Sequence, residues 1–177
     1  MRPPERFETS RLTLRPPEIE DADSIYKNYA ADRLVTRYLH WQPHETIADT
    51  KNFLKRCKNV WLAGTAFPWV LCLKENEEVI GMVELRINNH RADLGYVLAR
   101  HYWEQGYATE AAKLIVEWAI AQPPIYRVWA VCDVDNLPSA RVLEKIGMQR
   151  EGTLRRWLFH PNIDKAPRDC YVYSITK

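Results

Sequence analysis

The sequence predicts one domain of the mixed α/β (α+β) class, with a mostly antiparallel sheet of about seven strands and about four flanking helices. Three features predict this class. Short segments alternate polar and apolar residues, longer segments repeat apolar residues at helical spacing, and short polar turns join the two kinds. We find no internal repeat and no linker, so residues 1–177 are predicted to form a single domain.

The first half of the chain is predicted to supply one strand, two helices and a three-stranded meander. Alternating residues predict the first strand at 11–15, where a pair of prolines ends it. Apolar residues at helical spacing predict helices at 18–31 and 45–62. The meander strands are expected at 67–74, 79–87 and 92–99.

The second half is predicted to contain the one parallel pair of strands. The clearest helix of the chain, at 108–121, is followed at once by a strand at 127–133. A strand, a helix and a strand in succession form a right-handed crossover, so the strands at 92–99 and 127–133 should lie parallel and adjacent. A last helix at 136–146 and strands at 149–158 and 168–176 complete the predicted order.

The composition excludes several classes of partner. The net charge is only +2, so the chain lacks the positive field of a nucleic-acid-binding protein. We find neither a secretory leader nor a run of about 20 apolar residues, so we expect a cytoplasmic protein without a membrane partner. The cysteines form no Cys-x-x-Cys pair and are predicted to be reduced core residues, and we expect no metal site; they are Cys57, Cys72, Cys132 and Cys170.

The segment 102–110 is the best candidate for an anion site, because it lies between a strand and the start of the clearest helix. The first turn of a helix leaves main-chain N–H groups unbonded, and these groups attract a phosphate. Gly106 permits close approach of the backbone, although a glycine before a helix also serves as simple turn chemistry. The fingerprints of nucleoside triphosphatases and Rossmann proteins are not found.

Two motifs resemble the GNAT N-acetyltransferase superfamily, and within it the ribosomal-protein N-terminal acetyltransferases. The first motif covers residues 93–98 and 102–111, and the second covers residues 136–148. The resemblance extends over nearly the whole chain. It implies a GNAT-like fold in which the central parallel strands splay apart to admit the pantetheine arm of acetyl-CoA, the co-substrate.

The resemblance also implies which residues bind acetyl-CoA. The main chain of Val97 and Leu98 would pair with pantetheine, and the loop would enclose the pyrophosphate. Asn136 at the start of the second motif is assigned to the cofactor as well, with a helix N-cap as its alternative role. The loop residues are Glu104, Gln105, Gly106, Tyr107, Ala108 and Thr109.

This chain departs from the superfamily pattern at two positions. Trp103 stands where the loop usually begins with Gln or Arg, so backbone amides are expected to hold the phosphates without side-chain help. Leu143 stands where many members carry a tyrosine as general acid for the departing thiolate. The nearest hydroxyl in that motif is Ser139, which the ribosomal-protein branch also places there. We assign Ser139 to the thiolate as a hydrogen-bond donor, with a capping serine as the alternative.

Two carboxylates compete for the role of general base. Asp93 lies near the start of the central strand, where superfamily members often carry an acidic base, and Glu84 follows apolar residues on one face of its strand. An ion pair with Arg86 or Arg91 is the alternative role of either acid. A main-chain N–H near Leu98 is expected to donate to the oxyanion.

The expected function is transfer of acetyl from acetyl-CoA to an amine by direct attack in a ternary complex. The first choice of acceptor is a protein or peptide N-terminus, on the basis of the branch resemblance. A small amine, such as a polyamine, an amino acid or an aminoglycoside, and a catalytically silent CoA-binding module are the alternatives. Dimers are common among similar proteins, so a homodimer is a further candidate. Candidate walls of the acceptor pocket are Trp41, Trp103 and Trp157.

Overall fold

A computed structural model describes every residue from Met1 to Lys177. The strands are β1 Phe7–Glu8, β2 Leu12–Arg15, β3 Ala66–Leu73, β4 Val79–Asn88, β5 Arg91–Leu98, β6 Arg127–Asp133, β7 Gln149–Leu158 and β8 Arg168–Thr176. The α-helices are α1 Ala22–Ile25, α2 Arg33–Thr36, α3 Ile47–Ala63, α4 Tyr107–Ala121 and α5 Leu137–Lys145. The predicted mixed class is confirmed, with eight strands rather than seven and five α-helices rather than four.

The eight strands form one sheet in the order β1-β2-β3-β4-β5-β6-β8-β7. Only β5 and β6 run parallel, as the crossover through α4 predicts, and every other neighbouring pair is antiparallel. The parallel pair is short. It joins Arg91 to Arg127, Ala92 to Val128 and Asp93 to Trp129, and no further residues of the two strands are paired with each other.

The elements that the sequence did not predict are short. Strand β1 has two residues and α2 has four, so neither is long enough to show a hydrophobic period. The predicted helix at 18–31 is a succession of three kinds of helix: a 3₁₀ turn at Ile19–Asp21, then α1, then a π turn at Tyr26–Ala30. Asp21, at the junction of the first two, is bound by Arg15 of β2, which ties this segment to the sheet.

Hydrophobic clusters lie on both faces of the sheet. Helices α4 and α5 pack on one face, and α1 and most of α3 pack on the other. Burial of this apolar surface is the main stabilising contribution to the fold. All four cysteines are free and buried, which confirms that they are reduced core residues. Burial raises the pKa of Cys132 to about 12, so its thiol stays protonated.

None of the helices combines the length and the apolar composition that crossing a bilayer requires.

Gly81 marks the tightest contact between β4 and β5. A Cβ atom at this position would lie 2.5 Å from the carbonyl oxygen of Val97, a distance that backbone atoms cannot relieve without movement. We expect Gly81→Ala to lower the free energy of unfolding by about 1–3 kcal/mol, measured by urea denaturation. Gly152→Ala is the matched control, because a Cβ atom there meets nothing within 4 Å. Equal stability of the two variants would contradict the close approach.

Candidate active site

The site begins where β5 and β6 diverge. Beyond the pairing of Asp93 with Trp129, the main chain of β5 has no strand partner on this side. The N–H of Ala99 donates to the carbonyl of Ile80 in β4 at 2.8 Å, and main-chain groups alternate in direction along a strand. The N–H and C=O groups of Tyr96 and Leu98 therefore face the opening, whereas those of Val97 face β4.

The loop before α4 presents a row of unbonded main-chain donors. No main-chain N–H group from Glu104 to Thr109 donates to another protein group, and the first helical donor of this segment is Glu110, which bonds to Gly106. Glu104 and Gly106 both have positive φ, +62° and +84°. Such alternation turns successive N–H groups toward one side and forms an anion-binding concavity. The structure thus supports the prediction that this segment is an anion site.

Arg11, which precedes β2, holds this loop in place. Its guanidinium donates to the carbonyl of Gln105 at 3.1 Å and to the Glu110 carboxylate at 2.8 Å, and it lies 4.0 Å from the centre of the Tyr107 ring. Arg11 is nearly 100 residues away in sequence, so no motif around the loop could have predicted it. The loop therefore has a side-chain cation beside it despite Trp103, whose indole instead donates to the carbonyl of Leu98.

A cavity of about 590 Å³ opens on the gap between β5 and β6. It brings together several of the predicted site residues, namely Glu84, Asp93, Val97, Asn136 and Ser139. The residues of the loop at 104–109 do not line it. Of the candidate aromatic walls, Trp41 and Trp157 line the cavity and Trp103 does not.

Ser139 lies on the first turn of α5, where Asn136 caps the helix by accepting a hydrogen bond from the Ser139 N–H at 3.3 Å. Asn136 therefore serves as the N-cap of α5, which is the alternative role considered for it. The Ser139 hydroxyl lies 2.7 Å from the hydroxyl of Tyr96, and the same tyrosine oxygen lies 3.1 Å from the Ser139 carbonyl. When Tyr96 donates to the serine hydroxyl, the serine proton is free for a third group.

Tyr96 is a second site residue that the sequence reasoning missed. It lies inside the first motif, but a tyrosine in a strand is typical of core packing and carries no spacing signal. Burial raises the pKa of Tyr96 well above its ordinary value, so the phenol remains a neutral hydrogen-bond donor. Its hydroxyl lies beside Ser139. Leu143 stands at the position where many members of the superfamily carry a tyrosine as general acid.

The two predicted base candidates share one arginine. Arg86 donates to Glu84 Oε1 at 2.6 Å and to Asp93 Oδ2 at 2.9 Å. The second oxygen of each carboxylate has no hydrogen-bond partner in the protein. Burial raises the pKa of Asp93, and hydrogen bonds from Arg86 offset this only in part. The cluster of Glu84, Arg86 and Asp93 carries one net negative charge when all three groups are ionised.

A second cluster of charged residues lies on the β6 side of the cavity. Asp133 accepts hydrogen bonds from Arg168 at 2.5 Å and from the N–H of Asp135 at 2.9 Å. Burial alone would raise the pKa of Asp133, but these hydrogen bonds outweigh it and hold the pKa below its ordinary value. Asp133 therefore remains ionised beside His160, another residue that sequence reasoning did not single out.

No group of three or more His, Cys, Asp and Glu side chains is arranged to hold a metal ion. His44 Nδ1 shares a hydrogen bond with the Thr50 hydroxyl at 2.8 Å.

Comparison with known proteins agrees with this geometry. The chain is 31% identical to an uncharacterized N-acetyltransferase, p20, of Bacillus licheniformis over 98% of this chain and 97% of that protein. It is 26% identical to a spermidine N(1)-acetyltransferase of Escherichia coli K12, over 84% of this chain and 78% of that one. A ribosomal-protein-S5-alanine acetyltransferase structure from Vibrio fischeri shares the fold, with a TM-score of 0.81 at 24% identity over 97% and 96% of the two chains. The model of the acetyltransferase (GNAT) domain matches residues 11–149, so the chain belongs to the GNAT family of N-acetyltransferases.

Proposed function

We propose that this enzyme transfers acetyl from acetyl-CoA to the α-amine of a protein or peptide N-terminus. The observation that carries the acetyl-transfer proposal is that Ser139, Glu84 and Asp93 line one cavity at the gap between β5 and β6, and that β5 leads from this gap to the unbonded N–H groups before α4. Acetyl-CoA bound along this opening would have its pyrophosphate at the loop of residues 104–109 and its acetyl group beside the carboxylates.

The cofactor is proposed to follow the free edge of β5. Its pyrophosphate binds the N–H groups of Glu104 to Thr109, where the α4 dipole adds favourable charge. Its pantetheine amides pair with the N–H of Leu98 and the C=O of Tyr96, since these groups face the opening and the Leu98 carbonyl already accepts from the Trp103 indole. Val97 contributes its side chain to the cavity wall.

The proposed chemistry needs an oxyanion donor and a partner for the thiolate. The N–H of Tyr96, two residues before Leu98, faces the opening, is held in the strand and can donate to the oxyanion without reorganisation. The Ser139 hydroxyl donates to the departing sulfur while Tyr96 donates to Ser139. This chain of two hydroxyls takes the place of the tyrosine that Leu143 replaces.

The acceptor amine is proposed to enter from the side of Glu84 and Asp93. The free oxygen of each carboxylate can accept a hydrogen bond from an ammonium group or, through a water, take its proton. A peptide α-amine has a pKa near ~8 and a lysine amine near ~10.4, so at neutral pH the α-amine loses its proton at a smaller cost in free energy. This difference supports an N-terminal acceptor.

A small polyamine is the second candidate acceptor. The net negative charge of the cluster of Glu84, Arg86 and Asp93, together with the aromatic walls Trp41 and Trp157, suits a flexible cation. The relative named as a spermidine acetyltransferase also favours this candidate.

A panel of acceptors tests the proposed function. Peptides that begin with Ser or Ala, the same peptides blocked at the N-terminus, and spermidine are incubated with acetyl-CoA, and released thiol is read with a thiol-reactive dye. We expect release with the free peptides and none with the blocked ones. Release with spermidine alone would favour the second candidate, and no release with any acceptor would contradict the proposal. The buried cysteines keep the background low.

Gly106→Glu tests the anion site. A side chain at φ +84° is strained, and a carboxylate there repels a pyrophosphate, so we expect at least ~100-fold weaker binding of coenzyme A by calorimetry. The matched control is Gly152→Glu on the open face of β7, which should bind coenzyme A as the wild type does. Unchanged affinity of Gly106→Glu would contradict the loop assignment.

Tyr96→Phe and Ser139→Ala test the pair of hydroxyls. We expect Ser139→Ala to lower kcat by roughly 10- to 10⁴-fold, and Tyr96→Phe to lower it less, because the serine can still donate. The KM for acetyl-CoA should change little in both. Turnover of Ser139→Ala equal to that of the wild type would leave this residue with a structural role alone.

A further inference from the structure

His160 is a buried histidine with no hydrogen-bond partner. It lies two residues after the end of β7, it is 3% exposed, and neither Nδ1 nor Nε2 has a hydrogen-bond partner in the protein. Buried polar atoms without a partner are rare in folded proteins, and each calls for an explanation. Because His160 lines the same cavity as Ser139 and Asp93, a bound molecule can supply the missing hydrogen bond.

The position of His160 is fixed from two sides. Its Nε2 lies 3.6 Å from Oδ2 of Asp133, and its ring meets the Tyr38 ring edge to face at 6.4 Å. Its carbonyl accepts hydrogen bonds from the N–H groups of Ile163 and Asp164. Because Nε2 faces the Asp133 carboxylate, Nδ1 is the ring nitrogen left to accept a proton.

The charged and titratable groups around His160 belong to three parts of the chain. Asp133 and Asp135 lie at the end of β6, Arg168 lies on β8, and Tyr38 and His40 lie in the loop after α2. Arg168 neutralises much of the charge of the two aspartates, so His160 has one nearby carboxylate that is already bound to an arginine. Partial burial and the charge of Arg86 lower the pKa of His40, which keeps that histidine neutral and adds no positive charge beside His160 at neutral pH.

We propose that His160 accepts the proton from the attacking amine, as a catalytic residue of the proposed acetyl transfer. An acceptor that arrives as an ammonium first loses one proton to water. The neutral amine nitrogen then forms a bond to the thioester carbonyl carbon, and the carbon–sulfur bond breaks. One proton moves from the nitrogen to the free ring nitrogen of His160, and the sulfur leaves as a thiolate hydrogen-bonded to Ser139. The imidazolium later releases its proton to solvent, and the thiolate takes one up on leaving.

This inference rests on the proposed function, and it assigns different roles to the two carboxylates and to His160. Glu84 and Asp93 attract the ammonium group, but Arg86 already holds one oxygen of each. Imidazoles titrate close to neutral pH and carboxylic acids near ~4, so an imidazole is the better matched proton acceptor for an amine. Loss of a carboxylate should therefore raise the KM for the acceptor, and loss of His160 should lower kcat.

The experiment uses His160→Ala and His160→Gln, with His90→Ala as the matched control in an exposed turn. Wild type and variants are assayed with acetyl-CoA and the free peptides beginning with Ser or Ala, and with spermidine. We expect kcat of His160→Ala to fall by roughly 10²- to 10⁴-fold, with the KM for acetyl-CoA unchanged. Added imidazole should restore part of the rate, and a series of substituted imidazoles should restore it in the order of their basicity.

The outcomes separate this inference from the proposed function. A kcat of His160→Ala within about threefold of the wild type overturns it while acetyl transfer stands. A large loss that imidazole does not restore and that His160→Gln does restore assigns a packing role to His160 and also overturns it. No thiol release by the wild type with any acceptor overturns both. Thermal unfolding of each variant is measured as well, so that losses of kcat are compared only between variants that are folded.

Discussion

The structure depends on how few residues join β5 to β6. Three pairs hold the two strands together, and beyond them the main-chain groups of β5 that face β6 have no strand to bond with. Main-chain N–H and C=O groups buried without partners are costly, so a fold that leaves a row of them facing an opening favours a ligand with amides of its own. Gly81 contributes on the opposite side of β5, because its lack of a side chain lets β4 approach the Val97 carbonyl closely.

Two arginines organise the charges around that opening. Arg86 holds Glu84 and Asp93 on one side, and Arg168 holds Asp133 and Asp135 on the other. Each arginine pairs with two carboxylates. Each cluster therefore keeps a net negative charge, while every carboxylate in it has a cationic partner. A cationic amine that enters between them is attracted from both sides, and an anionic acceptor is disfavoured. The negative charge of these two clusters therefore affects which acceptor binds as well as how the reaction proceeds.

The sequence predicted the elements whose period or crossover is long enough to be read. The strands at 127–133, 149–158 and 168–176 agree residue for residue with the structure, and α4 agrees to within one residue. Short elements such as β1 and α2 escaped because two to four residues show no period. Within the site, the loop at 104–109 could be predicted because it lies directly before a helix. Arg11, Tyr96 and His160 instead belong to the site through tertiary packing. Such residues have no local signal, since their neighbours in space are far away in sequence.

The contacts of Arg11 have a consequence for the N-terminal part of the chain. One side chain links the start of β2 to the carbonyl of Gln105, to Glu110 and to the Tyr107 ring, so the loop keeps its shape only while the first strands remain docked on the sheet. Any ligand that binds the ordered loop better than a loosened one must, by thermodynamic linkage, also stabilise the docking of β1 and β2. If coenzyme A binds the ordered loop as proposed, its binding is linked to the docking of residues 1–15, although these residues do not line the reaction cavity.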